Sequence, residues 1–379
     1  MSRRGTTTGA TATASTTTPT RRSSACGRRS RWTGTSCPPR ATRHAASAPE
    51  PPAVANAVRQ RTVRVNGVDL SLREAGDPGA PLVVLAHGFP ETGHSWRHQM
   101  LPLAAAGWHV VAPDQRGYGH SSAPREVSAY GTDELSADLL GLAELLGHER
   151  AVYVGHDWGA LLLWDLCRMH PDRVTAGVAA SVAFADWPAP PLDIMARRYG
   201  DRFFYINYFQ RPHEAETELG RDVADTMAKV LWGASAGAQA DPMFFTRDEL
   251  PPMEGTGFLT GRTQPPDLPW PWLDEYEFRT YVDEFSVSGF FGPVSWYRNM
   301  NANYERTRHR PVAAMTMPVH FVTGELDPVN LTNPAFDSSM RATLPGYRGS
   351  TVIAGAGHWV QQEKPAEFNA ALLGFLSSL

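Results

Sequence analysis

The stretch Val152-Tyr153-Val154-Gly155-His156-Asp157-Trp158-Gly159-Ala160 is an apolar run of β type that breaks at one glycine, presents an acidic residue and resumes at a second glycine. It predicts a strand-to-helix turn of the nucleophile-elbow kind. A turn tight enough to raise one side chain above a sheet needs small residues two before and two after it, because a Cβ there would meet the neighbouring strand or helix. Gly155 and Gly159 stand at those places. A serine at the tip needs a base to take its proton, whereas a carboxylate is already ionised near neutral pH and attacks directly. Asp157 is therefore the candidate nucleophile. A single match of this kind also describes many solvated turns, so the weight falls on the rest of the chain.

Upstream of the elbow, Thr62–Val65 and Val68–Leu72 alternate apolar and polar about Asn66-Gly67, a hairpin signal. Leu82–Ala86 and His109–Ala112 are continuous apolar runs of the kind buried on both faces of a parallel sheet. The first ends in His87-Gly88-Phe89-Pro90 and the second leads into Asp114-Gln115-Arg116-Gly117-Tyr118-Gly119. Helical spacing is expected over Thr132–Leu146 and from Trp158 to about Met169, with a further strand near Val174–Val182. Alternating strand and helix predict an α/β fold, a mostly parallel sheet with helices on both faces. From about Asp186 to Met300 the alternation stops in favour of clustered aromatics and helix-like segments, Leu192–Gln210 and Ala215–Leu231, with a Pro-rich loop over Pro251–Pro271. It resumes at Val319–Thr323, followed by Gly324-Glu325-Leu326-Asp327, and at Ser350–Ile353, followed by Gly357-His358, and closes with a helix over Pro365–Leu376. The expected division is a core of residues 56–184 and 301–379 with an inserted helical lid of residues 185–300.

The chain has 379 residues, 42% hydrophobic and 20% charged, the composition of an ordinary globular protein. Residues 1–55 differ, being rich in Arg, Thr and Ser without an apolar core-forming run, and are expected to be a disordered extension or sequence foreign to the natural protein. Of 35 basic and 39 acidic residues, nine arginines and one glutamate lie in residues 1–50, so residues 51–379 carry 26 and 38 and a net charge of −12. An acidic body argues against nucleic acid as a partner. No apolar run reaches membrane-spanning length, so no membrane insertion is expected. Cys167 is the one cysteine of the body, which fits a reducing cytoplasm, and the His and Cys pattern suggests no metal site.

Catalytic groups on such a sheet sit at the carboxyl ends of strands, and Asp157, Asp327 and His358 each follow an apolar run, in the order nucleophile, acid, histidine. On these residues the chain resembles the α/β-hydrolase family and, within it, the soluble-type epoxide hydrolases, from about residue 60 to the end. The resemblance implies that Asp327 orients His358. Asp186 is the rival acid, since some relatives of this fold carry their acid after the preceding strand. His87-Gly88-Phe89-Pro90 resembles the family's oxyanion loop, which implies an oxyanion hole of the backbone N–H groups of Phe89 and Trp158. Phe204-Tyr205-Ile206-Asn207-Tyr208-Phe209-Gln210 and Ser295-Trp296-Tyr297-Arg298-Asn299-Met300 resemble the segments that carry two lid tyrosines, here Tyr205 and Tyr297, with Tyr208 one helical turn from Tyr205. A neutral phenol can donate to the oxygen released when an epoxide opens.

The function implied is hydrolysis of a small apolar epoxide by water to a vicinal diol through an aspartyl ester, with no cofactor and no metal. A homodimer is compatible with this reading. Haloalkane dehalogenase is the alternative, because a tryptophan after the nucleophilic aspartate also serves leaving halide there. A catalytically silent relative that binds a small ligand is the third reading, and it predicts a missing triad member.

Overall fold

A computed structural model describes residues 57–238, 241, 247–331 and 333–379, so the extension expected over residues 1–55 lies outside the described residues. The hairpin forms as expected. Strands β1 (Arg59–Val65) and β2 (Val68–Ala75) pair antiparallel, Val65 opposite Val68, across Asn66 and Gly67 with φ of 45° and 76°, the left-handed pair that a two-residue turn demands. The remaining strands are β3 (Leu82–Ala86), β4 (His109–Pro113), β5 (Ala151–His156), β6 (Val174–Ala180), β7 (Val319–Gly324) and β8 (Tyr347–Ile353). They form one eight-stranded sheet in the order β1-β2-β4-β3-β5-β6-β7-β8, parallel from β4 onward through β8.

Residues of β3 alternate between two apolar cores. Leu82, Val84 and Ala86 face one, where Leu135, Leu139 and Leu142 of the helix Thr132–Leu145 and Leu162, Leu163 and Leu166 of the helix Trp158–Met169 cover the sheet. Val83 and Leu85 face the other, with Met100 and Leu103 of the helix Arg97–Ala105 and Phe368, Leu372 and Phe375 of the helix Pro365–Leu376. Burial on both faces explains why these strands read as unbroken apolar runs. The chain steps from β3 to β4 on one side and to β5 on the other. This is a switch point, where the loops leaving two adjacent strands diverge and open a crevice at their carboxyl ends.

Between β6 and β7 the described residues are helical or irregular and add no strand to the sheet. Two long helices expected there are each divided. Leu192–Gln210 becomes helices Pro191–Tyr199 and Tyr205–Phe209, parted at Gly200, whose φ of 58° ends the first. Ala215–Leu231 becomes Glu214–Arg221 and Val223–Gly233, because the Asp222 carboxylate accepts the Asp225 N–H at 3.0 Å and restarts the chain as an N-cap. Among the described residues no helix is long and apolar enough to cross a membrane.

Candidate active site

Asp157 sits at the carboxyl end of β5 with φ 52° and ψ −114°, immediately before the helix Trp158–Met169. The two flanking glycines are sterically required. A Cβ on Gly155 would lie 2.1 Å from the Gly159 carbonyl oxygen, and one on Gly159 would lie 2.0 Å from the Ala86 carbonyl oxygen of β3. The loop after β3 closes in as tightly, since a Cβ on Gly88 would lie 2.4 Å from the Asp157 Cβ. This approach lets the Phe89 N–H donate to Asp157 Oδ1 at 2.8 Å. Trp158 opens the helix, so its N–H belongs to the first turn, where no intrahelical acceptor exists.

His358 follows β8, with Nε2 3.6 Å from Asp157 Oδ2 and Nδ1 3.2 Å from Asp327 Oδ1. Asp327 follows β7 and is fully buried. It accepts from the Val329 N–H at 3.0 Å, the Thr323 hydroxyl at 3.3 Å and the Asn330 amide at 3.4 Å. Burial alone would raise its pKa, but His358, together with the Ser181 side chain and the Val329 N–H, outweighs burial and holds it below the usual carboxylate range. Burial likewise disfavours the charged form of His358, yet Asp327 and Asp157 more than offset it, and its pKa stands well above that of free imidazole. Asp186 takes no part in this arrangement. Its half-exposed carboxylate pairs with Arg168 at 2.9 Å.

A buried polar chain not among the residues expected from the sequence stands behind Asp157, His358 and Asp327. Glu91 and His156 are both fully buried and pair at 2.6 Å, while the other nitrogen of His156 donates to the His358 carbonyl at 2.8 Å. The Ser181 hydroxyl donates to the same carbonyl at 2.7 Å. Glu91 also accepts from the Gly88 N–H at 2.9 Å and from the amides of Gln361 and Gln362 at 2.9 and 3.0 Å. It thereby ties the loop after β3 to the segment beyond His358. Burial would raise the Glu91 pKa, but His156 and the Gly88 N–H reverse this and hold it at about 2.

Above the elbow lies a cavity of about 190 Å³ whose lining includes Asp157, His358, Tyr205 and Tyr297. Phe89, Phe204, Phe258 and Trp359 supply apolar walls. The two phenol rings are 5.8 Å apart between centroids, nearly perpendicular at 79°. Tyr297 also stands edge-on to Trp158 at 4.8 Å. Burial raises the pKa of both phenols and the Asp157 charge adds to it, so both are neutral donors at pH 7. Tyr208 is directed elsewhere, its hydroxyl donating to Glu218 at 2.8 Å. The structure thus brings Asp157, Asp327, His358, Phe89, Tyr205 and Tyr297 into one site. A carboxylate on a rigid turn, a charge-supported imidazole and two phenols facing one apolar space can deliver a nucleophile, a base and two proton donors to a single small molecule.

The chain is similar to known proteins over most of its length. Residues 81–365 match the model of the alpha/beta hydrolase fold family. Epoxide hydrolase A of Mycobacterium tuberculosis is 46% identical over 322 residues, covering 84% of this chain and 98% of that protein. The bifunctional epoxide hydrolase 2 of Sus scrofa is 35% identical over 314 residues, covering 82% of this chain and 54% of that protein. The crystal structure of epoxide hydrolase A from Mycobacterium thermoresistibile superposes with a TM-score of 0.78 at 44% identity, covering 85% of this chain and 98% of that one. With a fold and a sequence shared over nearly the full length of the mycobacterial relatives, the chain belongs to the α/β-hydrolase family and, within it, to the epoxide hydrolases.

Proposed function

We propose that this protein converts an epoxide and water to a vicinal diol in two steps, and that residues 185–300 act as the lid that closes the site. The observation that carries the reading is the convergence of two phenols, the partly buried Tyr205 and the buried Tyr297, on the cavity that also holds Asp157. In the first step Asp157 attacks a ring carbon, the carbon–oxygen bond breaks, and the phenols hydrogen-bond the departing oxygen and supply its proton. The product is a hydroxyalkyl ester of Asp157. Esterification removes the Asp157 charge, one of the two that hold a proton on His358, so the imidazole gives up its proton, which restores the phenol that protonated the ring oxygen.

Neutral His358, kept in orientation and tautomer by Asp327, then takes a proton from water, which attacks the ester carbonyl. The Phe89 and Trp158 N–H groups stabilise the oxyanion, and collapse releases the diol and restores the carboxylate. A haloalkane dehalogenase would have no use for two phenols at this place, and a silent binding protein would lack a member of the triad. The buried thiol of Cys167 accords with action in a reducing cytoplasm. Turnover of styrene oxide and stilbene oxide, run beside a halide-release assay on haloalkanes, tests the reading. Diol formation without halide release is expected; halide release without diol would replace it with the dehalogenase.

A further inference from the structure

A buried cation stands behind the cavity wall. The Arg262 side chain is 3% exposed and pairs with the fully buried Asp241, Nη1 to Oδ1, at 3.3 Å. Its Nε donates to the Phe258 carbonyl at 2.9 Å, and its Cζ lies 4.1 Å from the centroid of the Phe258 ring. That ring packs in turn on Tyr205 at 5.9 Å and on Phe209 at 5.0 Å. The loop is anchored as well, because the Phe258 and Leu259 N–H groups both donate to Glu218, at 2.8 and 3.0 Å. A Cβ on Gly233 would lie 2.4 Å from Asp241 Oδ2, so the end of the helix Val223–Gly233 packs directly on the pair. The next residue, Ala234, accepts the His358 N–H at 2.9 Å.

A guanidinium keeps its charge at any ordinary pH, and burying it is costly even when a carboxylate is supplied. In a low-dielectric wall that charge acts over several ångströms. It distinguishes the two phenols. At Tyr205, burial, Asp157 and Tyr199 all disfavour the phenolate, and Arg262 favours it. At Tyr297, burial, Tyr205, Asp157 and Tyr118 disfavour it, and the opposing influence is a hydrogen bond with the Trp158 side chain rather than a cation.

We propose that Arg262 is a positioning residue for ring opening, holding Tyr205 through Phe258 and making it the stronger of the two phenol donors. The inference rests on the ring-opening role given to Asp157, Tyr205 and Tyr297 above. As the carbon–oxygen bond breaks and the bond to Asp157 forms, the proton moves from Tyr205 to the ring oxygen and negative charge grows on the phenol. Arg262 stabilises that charge while the charge of Asp157 is being consumed, so its effect is larger in the transition state than in the ground state.

Single-turnover ester formation on styrene oxide, read by rapid quench and intact-protein mass, tests this. Tyr205→Phe should slow the step about tenfold more than Tyr297→Phe. Arg262→Met combined with Asp241→Asn, which leaves neither charge unpaired, should slow it about tenfold in the wild-type and Tyr297→Phe backgrounds and no further in the Tyr205→Phe background. Arg262→Lys, which keeps a cation, should recover most of the rate. Equal losses in the two single tyrosine variants, or an undiminished effect of the paired variant when Tyr205 is already phenylalanine, would overturn the inference while leaving the two-step reaction standing. Failure of both tyrosine variants to slow ester formation would remove the ring-opening assignment itself.

Discussion

Asp157 holds a backbone conformation that costs about 1–3 kcal/mol, and it is kept there because its neighbours leave no other space. As the proposed nucleophile it would attack without a base. In a serine hydrolase loss of the histidine blocks both steps, whereas in the two-step reaction proposed above His358 is required only for the second. His358→Ala given an epoxide should therefore stall as an ester, seen as a mass increase of one whole substrate that peptide mapping places on Asp157. Asp157→Asn should show no such immediate adduct. An inert His358→Ala that binds substrate without modification would favour direct attack by water. In that proposed reaction the phenols act earlier: Tyr297→Phe should slow ring opening by roughly ten- to a thousandfold, and the double change with Tyr205→Phe should nearly abolish it with folding little altered. Persisting turnover in the double variant would remove the phenols from the mechanism. The groups that the sequence made legible share one property: Asp157, Asp327, His358 and Phe89 end apolar runs, and Tyr205 and Tyr297 lie in recognisable local strings. Glu91, His156, Ser181 and Arg262 act through partners elsewhere in the chain, as with His156 and the His358 carbonyl, 202 residues apart. No local pattern encodes such a contact, although an acid directly after His87-Gly88-Phe89-Pro90 is a signal that could have drawn attention to Glu91.

At the scale of elements, the helix Glu275–Ser288 shows how the segment between β6 and β7 is fastened to the rest of the fold. Asp274 and Glu277 close a capping box at its start. From its inner face Glu284 reaches Arg73 of β2 and the Thr92 hydroxyl, while Arg73 also pairs with the buried Asp114 at 2.7 Å. Glu277 pairs with Arg97 at 2.6 Å, and the Tyr281 hydroxyl lies 2.8 Å from both Ser95 Oγ and Gln362 Oε1. Glu284→Gln keeps the shape and removes the charge opposite Arg73, which retains Asp114. It should lower unfolding free energy by about 1–3 kcal/mol in urea titration. An unchanged midpoint would mean that apolar packing of Phe285 and Tyr281 suffices to hold the helix. The strands were legible to within a few residues because burial on both faces leaves only one composition open to them, and the hairpin because Asn66-Gly67 has one favoured turn. The helices between β6 and β7 are shorter than their apolar spacing predicts, since Gly200 and Asp222 interrupt runs whose spacing carries on across the break.

For the whole molecule, the buried charges make stability depend on pH. The Glu91 carboxyl, ordinarily near 4.5, is held at about 2 in the folded protein, so its contribution is fully present above about pH 4.5 and is lost as pH falls through about 2. That contribution is on the order of 3 kcal/mol. Glu91→Gln should therefore lower stability at pH 7 and flatten the acid side of the stability curve between about pH 4.5 and 2, measured by denaturant titration; parallel curves for the two proteins would show that Glu91 is not the acid-sensitive group. At the chain's start, the two apolar cores draw their first residues from Val63 and Ala75, and the family match begins at residue 81. The hairpin β1–β2 joins the sheet through β2 alone, which pairs with β4, so the sheet is built from residue 59 onward. A chain shortened to begin at Ala53 keeps every strand among the described residues, both cores described there and the whole candidate site. It should melt within a few degrees of the full chain and turn over epoxide at the same rate. A large fall in melting temperature, or loss of turnover with the fold intact, would assign residues 1–52 a share in the stability or the site that their composition gives no reason to expect.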